Sequence, residues 1–438
     1  MKRWVTNSHW LKLGGLTALM VGVQLLTAGT ANAVPAFARQ THQPCTTCHS
    51  VHFPTLNSFG RNFKANGYTM MMGGQDTVEG SGLSLPVTLN AAMVGSLQYV
   101  KDNGNEMGIP SALSMYLGGR IGEKSGFLME MPFGNQAVEG TDSNGDMVDG
   151  ETVGAVPSLG SIKWNYVEDV KGVNVGLHAY STSMAGPSYG YELLSTGAMG
   201  MNVPMPGANA MGAIGLHMEH GATLMSKFME NMSGSMMMAG KATGFGVSAQ
   251  QNDWYVYYSP YVATQKVEHI GEPDLANYLR AVWTPTFSGF NIGLGTQLYF
   301  GNGTANGMTM DAKATTVDFQ AQGQVAGRPI GIFASWAKAP KSSSSTENWY
   351  NMSTGGDNSA FGLLVESEVM DRLSVNVGFV KATYWMDMMS MSMSTEGTAT
   401  SVGASYLLAP NKLLMVRALN FGGDLNDKMG TVTLRMGF

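Results

Sequence analysis

The stretch Phe290-Asn-Ile-Gly-Leu-Gly-Thr-Gln-Leu-Tyr-Phe300 decides the fold class. Phe290, Ile292, Leu294, Leu298 and Phe300 are large and apolar, whereas Asn291, Gly293, Gly295 and Gln297 between them are small or polar. A period of two means a strand whose two faces meet different surroundings. Leu373, Val375, Val377 and Phe379 repeat it around Ser374, Asn376 and Gly378, as do Ile330, Ile332, Ala334 and Trp336. At the chain end, Val432, Leu434, Met436 and Phe438 alternate with Thr431, Thr433, Arg435 and Gly437. From about Leu83 onward, segments near ten residues long carry this pattern between turn-rich stretches. That is the signature of a transmembrane β-barrel.

Composition points the same way. Charged residues make up 13% of the 438-residue chain, about half the roughly 25% of a soluble protein. Beyond the first 30 residues no run reaches the 18 or so apolar residues that a spanning helix needs. The expected fold is therefore all-β: an outer-membrane barrel of 16–18 antiparallel strands over 81–438. Short connections such as Glu123-Lys124, Met370-Asp371-Arg372 and Ala409-Pro410-Asn411 read as periplasmic turns. Longer ones near 101–110, 134–154, 182–209, 339–358 and 386–397 read as outer loops. Trp164, Tyr166, Trp254, Tyr255, Trp283, Tyr384 and Trp385 are candidates for interfacial aromatic girdles. Arg120, Arg280, Arg417, Arg435, Asp318, Glu366 and Glu368 fall on the inner face, as expected of a wet lumen.

Residues 1–33 read as a secretory signal: Lys2, Arg3 and Lys12, then apolar Leu13 to Leu26, then Ala31-Asn-Ala33 as a cleavage site. Removing its three basic residues from the 25 leaves 22 against 31 acidic residues, a net charge of −9. That balance argues against nucleic acid and favours cationic partners.

Residues 34–80 carry the chemistry. Both cysteines lie in Cys45-Thr-Thr-Cys-His49, the C-x-x-C-H spacing of covalent c-type haem attachment. Two thiols on one helical turn can add to two vinyl groups, and the adjacent His49 is placed as an axial ligand to iron. A redox dithiol would call for a thioredoxin-like context, and a zinc site for further Cys or His. A helix between Pro54 and Gly67 presents Leu56, Phe59 and Phe63 as a stripe suited to a porphyrin. Gly60 permits close backbone approach, and Arg61 and Lys64 are candidate partners for the propionates. The second axial ligand is one of Met70, Met71 and Met72, with His52 and His42 as alternatives; a Met would raise the haem potential. A segment this small has no core of its own, so it should pack into the barrel mouth or lumen.

Val34-Pro-Ala-Phe-Ala-Arg-Gln-Thr41, the Cys45–His49 motif and Phe53-Pro-Thr-Leu-Asn-Ser-Phe-Gly-Arg-Asn-Phe-Lys-Ala-Asn-Gly-Tyr68 together resemble the outer-membrane monohaem cytochromes of iron-oxidising bacteria, a family of fused cytochrome-porins. The resemblance covers roughly residues 34–72. It implies an oxidoreductase with one covalent haem c, attached at Cys45 and Cys48 and ligated by His49. Such a protein takes electrons from extracellular Fe(II) and passes them to a periplasmic c-type cytochrome or other carrier. Rival readings are a haem-containing transport channel, and a conduit for another donor or for outward electron flow.

Two loops have unusual chemistry. Residues 139–151 hold five acids, Glu139, Asp142, Asp146, Asp149 and Glu151, and no base, so they would concentrate cations or simply be solvated. Met is abundant, with 35 residues, and clusters at Met229–Met238 and Met386–Met393. Thioethers suit Cu(I) better than Fe²⁺, and flexible apolar surface is the simpler account.

Overall fold

In the computed structural model the described residues are 36–437, leaving out 52–54, 71–75, 82, 89, 102–104, 138–139, 142–146, 149–151, 184, 196–240, 265–273, 306–307, 389–390 and 425. Among them, sixteen long antiparallel strands close a barrel. In chain order they are β1 (Ala91–Lys101), β2 (Asn105–Gly122), β3 (Ser125–Ala137), β4 (Ser161–Val170), β5 (Val173–Thr182), β6 (Ala242–Gln251), β7 (Trp254–Val262) and β8 (Ala276–Trp283). The second half comprises β9 (Phe290–Phe300), β10 (Ala314–Val325), β11 (Arg328–Ala339), β12 (Asn358–Met370), β13 (Leu373–Met388), β14 (Met391–Ala409), β15 (Lys412–Gly423) and β16 (Lys428–Gly437). Each strand pairs with its successor, and β16 closes the ring on β1 through Leu434 opposite Leu97. Short pieces at Thr152–Pro157 and Thr286–Phe287 add to the ends of β3 and β9. An even count and full closure leave no sheet edge, which a lipid environment demands.

The period-two pattern orients every strand. On β8, Tyr278 and Arg280 are fully buried inside while Trp283 on the outer face is 57% exposed. The outward residues predicted for β9, β11, β13 and β16 all lie on the outer surface up to Met436. Chain reversals at one end are tight. Lys171-Gly172 and Ala326-Gly327 put both central residues at positive φ, the hairpin geometry whose twist matches the strands and which glycine tolerates best. The short turns after β2, β12 and β14, the start of β1 and the end of β16 share that end. Longer connections all lie at the other.

Three expectations change. Pairing in β2, β13 and β14 runs through 105–110 and most of 386–397, which were expected to be loops. At 16 and 19 residues, β13 and β14 outrun the 9–11 residues that cross a bilayer, and the hairpin continues beyond it because strand pairing still satisfies its backbone. Of the girdle candidates, Trp164, Trp254 and Trp283 face out, but Tyr255 and Tyr384 are buried inside. Trp254 and Tyr255 are neighbours, as are Tyr384 and Trp385, and successive strand residues cannot share a face. Lastly, Arg280, Arg417, Asp318 and Glu366 do point inward, but each is 4% exposed or less. At their level the lumen is packed, not wet.

Candidate functional site

Much of that packing comes from the N-terminal segment, which forms one compact unit with the barrel. It contains helices α1 (Ala36–Thr41), α2 (Cys45–Cys48) and α3 (Ser58–Ala65). Pro44, at φ −66°, leads into the single turn of α2, and the His49 amide closes that turn on the Cys45 carbonyl at 2.9 Å. This places the two thiols three residues apart on one helical face. His49 then leaves in extended backbone and pairs with Leu56. Asn57 joins α2 to α3: its amide donates to the Cys48 carbonyl, its Nδ2 donates to the Thr47 carbonyl at 3.0 Å, and its Oδ1 caps the Gly60 amide at 3.0 Å. The helix therefore starts at Asn57, where Pro54 had been expected to open it; Pro54 and His52 lie outside the described residues. Gly67, at φ +67°, ends it as predicted.

Gly60 sits where α3 crosses α2, and a Cβ there would overlap the Cys48 carbonyl. The glycine thus serves helix-to-motif contact. Both cysteines are free and half-buried, and burial pushes both thiols up from their ordinary range. A reactive redox dithiol needs the opposite shift.

The other predicted residues separate. Phe59 is 41% exposed, an apolar ring left open beside the motif. Phe63 instead joins an aromatic cluster with Phe37 and Tyr68, its ring centre 5.3 Å from Phe37. Arg61 is engaged by the wall, donating to Asn291 Oδ1 at 3.2 Å and to Gln322, as well as to the Leu56 carbonyl. Lys64 is pushed down to about 8 by loss of water, with Glu192 acting against that shift. These two cations thus face the barrel and its contents. His42 contacts Asp76 at 3.1 Å. Met70 is among the described residues; Met71 and Met72 lie outside them.

The segment seats in the short-turn mouth. Gln40 Nε2 donates to the Gly118 carbonyl at 2.8 Å, Arg39 donates to the Ala91 carbonyl, and Asn174 Nδ2 donates to Asn66 at 3.4 Å. At Gly126 the wall approaches Gly67 so closely that a Cβ would overlap the Gly67 carbonyl. Across the mouth, Thr46 and Val51 border a cavity of about 230 Å³ whose far side includes Arg372, Ser405, Leu407 and Leu413. The Ser405 hydroxyl is buried without a hydrogen-bond partner among the described residues. Glu368 lines the same cavity beside Arg372, and neither cysteine nor Phe59 is among its lining residues; the paired thiols and the open Phe ring are the part of the site suited to an amphipathic group held through sulfur.

Sequence reasoning missed the second filler. The connection after β5, expected to lie outside, turns into the lumen over 185–195. Glu192 in it accepts from Arg280 Nε at 2.7 Å, and Asp318 Oδ2 accepts from Arg280 Nη1 at 2.5 Å. Ser195 N donates to Gln320, Tyr191 OH donates to Gln250, and Lys163 Nζ donates to the Tyr189 carbonyl. Around it stand inward tyrosines from β7, β8 and β9. The signal was present in Tyr255, Tyr257 and Tyr261, three tyrosines at odd positions of one strand.

No protein-family model matches this chain, and no curated protein does. Among solved structures, it is similar to outer-membrane-expressed OmpT of Vibrio cholerae, with 10% identity, TM-score 0.42, and coverage of 83% of this chain and 100% of that one. A mutant of the Rh. blastica porin gives 14% identity and 0.42 over 80% of this chain and 99% of that one. OccAB3 of Acinetobacter baumannii gives 8% and 0.41 over 80% and 98%.

Proposed function

We propose that this protein is an outer-membrane electron conduit. Its Cys45 and Cys48 hold one haem c, His49 ligates the iron, and electrons from extracellular Fe(II) pass to a periplasmic cytochrome or other carrier. The single observation that carries the reading is the folded Cys45–His49 turn, held by Asn57 inside the mouth of a closed barrel. A bound haem would supply a one-electron Fe(III)/Fe(II) couple. The chain's own part is to seat that group, exclude water from it and set its surroundings. Asn57 and Gly60 fix the motif, Phe59 offers an apolar face, and Arg372 and Glu368 line the nearby cavity. The short-turn end, which holds both ends of the barrel, is then the periplasmic side. An electron, unlike an ion, can cross a packed lumen, which favours transfer over transport.

The test is anoxic mixing of the oxidised protein with Fe²⁺ while following the haem absorption. Reduction is the expected result. A haem that stays oxidised although its potential permits reduction would sink the reading. Cys48→Ala should abolish covalent haem, as measured by haem staining of the denatured protein.

A second reading, a haem-containing channel, is favoured by the sixteen-stranded barrel itself, the architecture of porins. Bilayer conductance separates the two. A conduit for another donor, or one running outward, would keep the same site and differ in the reductant accepted.

A further inference from the structure

The inner tyrosines form a continuous column. Tyr350, in the connection between β11 and β12 at the long-loop end, has its ring centre 4.9 Å from Tyr299. Tyr299 lies 4.9 Å from Tyr278, and Tyr278 lies 5.9 Å from Tyr257. Tyr257 and Tyr255 both stand 5.9 Å from Tyr191 on the lumen loop. All six rings are 3% exposed or less. Tyr255 stands two residues from a short turn, at the end of the barrel where the N-terminal segment seats. Ala65 of α3 belongs to the buried cluster that contains the column. One end thus lies at the outer loops and the other against the segment that carries the cysteines.

We propose that this column is the path by which an electron crosses the barrel; the proposal rests on the haem reading above. Packed aromatic rings without intervening water lower the barrier to tunnelling relative to aliphatic side chains. Tyrosine is too hard to oxidise for the rings to be stable way stations, so each stays closed-shell. One electron leaves a donor such as Fe²⁺, giving Fe³⁺, and one haem Fe(III) becomes Fe(II). No bond or proton changes at any ring. The alternative, a donor ion diffusing to the haem from outside, must pass the packed level of Glu192, Arg280 and Asp318.

The test uses the full-length holoprotein with Ser345→Cys, an exposed position on the loop of Tyr350, labelled with a ruthenium photosensitiser. Flash-induced haem reduction then reports transfer across the barrel independently of iron oxidation. Tyr278→Leu should slow it by an order of magnitude, Tyr299→Leu should do the same, and Tyr278→Phe should leave it unchanged. Haem spectrum and midpoint potential should stay fixed in all three. Wild-type rates in the two Leu variants would overturn the column, as would slowing by Tyr278→Phe, which keeps the ring. Ring-dependent flash transfer in a protein that Fe²⁺ fails to reduce would uphold the column and reject iron as donor. Absence of covalent haem in the wild type would remove both.

Discussion

At the residue scale, two positions account for much of the packing. Arg280 is the only cation bonded to both Glu192 and Asp318 among the described residues, and all three are buried. Removing it takes away the ion-pair partner that bridges two buried carboxylates, a loss of about 3–5 kcal/mol. Arg280→Met should therefore lower the urea midpoint for unfolding, and adding Glu192→Gln and Asp318→Asn should restore most of it. Equal stability of Arg280→Met and wild type would mean the trio carries no such burden. Gly60 was legible as a close-approach glycine, but its true neighbour, the Cys48 carbonyl, was not. Gly60→Ala should push α3 off the motif and reduce the fraction of chains with covalent haem; full loading would contradict the crossing as described.

At the scale of elements, strands were more legible than what fills them. A strand in lipid answers to one rule, apolar out, so alternation in β9 or β13 reads directly from sequence. The lumen face answers to tertiary partners instead. Nothing local in 185–195 says that it folds inward, since Glu192 is fixed by Arg280 from β8, which is itself held by Asp318 from β10. The same holds for Arg61 and Phe63, whose partners belong to distant strands or to α1. The cysteine motif was legible because both thiols and His49 fall within five residues.

Element α3 also carries a pH signature. Lys64 falls from 10.5 to about 8 on folding because burial disfavours its charge. Between those values the unfolded chain holds a proton that the folded one lacks, so stability rises with pH across that window and the penalty is complete below about 8. Urea midpoints of wild type should climb from pH 8 toward pH 10 relative to Lys64→Met. At neutral pH Lys64→Met should be the more stable of the two. Parallel profiles would show that Lys64 keeps its ordinary proton affinity.

For the whole molecule, closure and filling make opposite demands on a channel. A ring of sixteen strands is wide enough for an aqueous channel, but the N-terminal segment occupies one mouth and the 185–195 loop crosses the lumen. In planar bilayers the intact protein should conduct far less than a deletion of residues 36–70, and deleting 185–195 should raise conductance further. Large, steady conductance by the intact protein would favour the transport reading. Barrel class and strand number were available from the chain's periodicity, within the 16–18 expected. The packed lumen was not, because inner small and polar residues look alike whether they face water or another part of the chain.

The joining of the N-terminal segment to β1 has a consequence for how firmly it stays in place. Its seat includes hydrogen bonds at Arg39, Gln40, Asn66 and Arg61 and a close backbone contact at Gly67. Separately these are modest. But the chain from Met70 to Ala91 is only about twenty residues, so the mouth faces its own plug at an effective concentration of order millimolar. Docking is therefore independent of dilution as long as that tether is whole. A single cut between Met70 and Thr77 would remove that advantage and leave the segment to hold on by its own contacts alone.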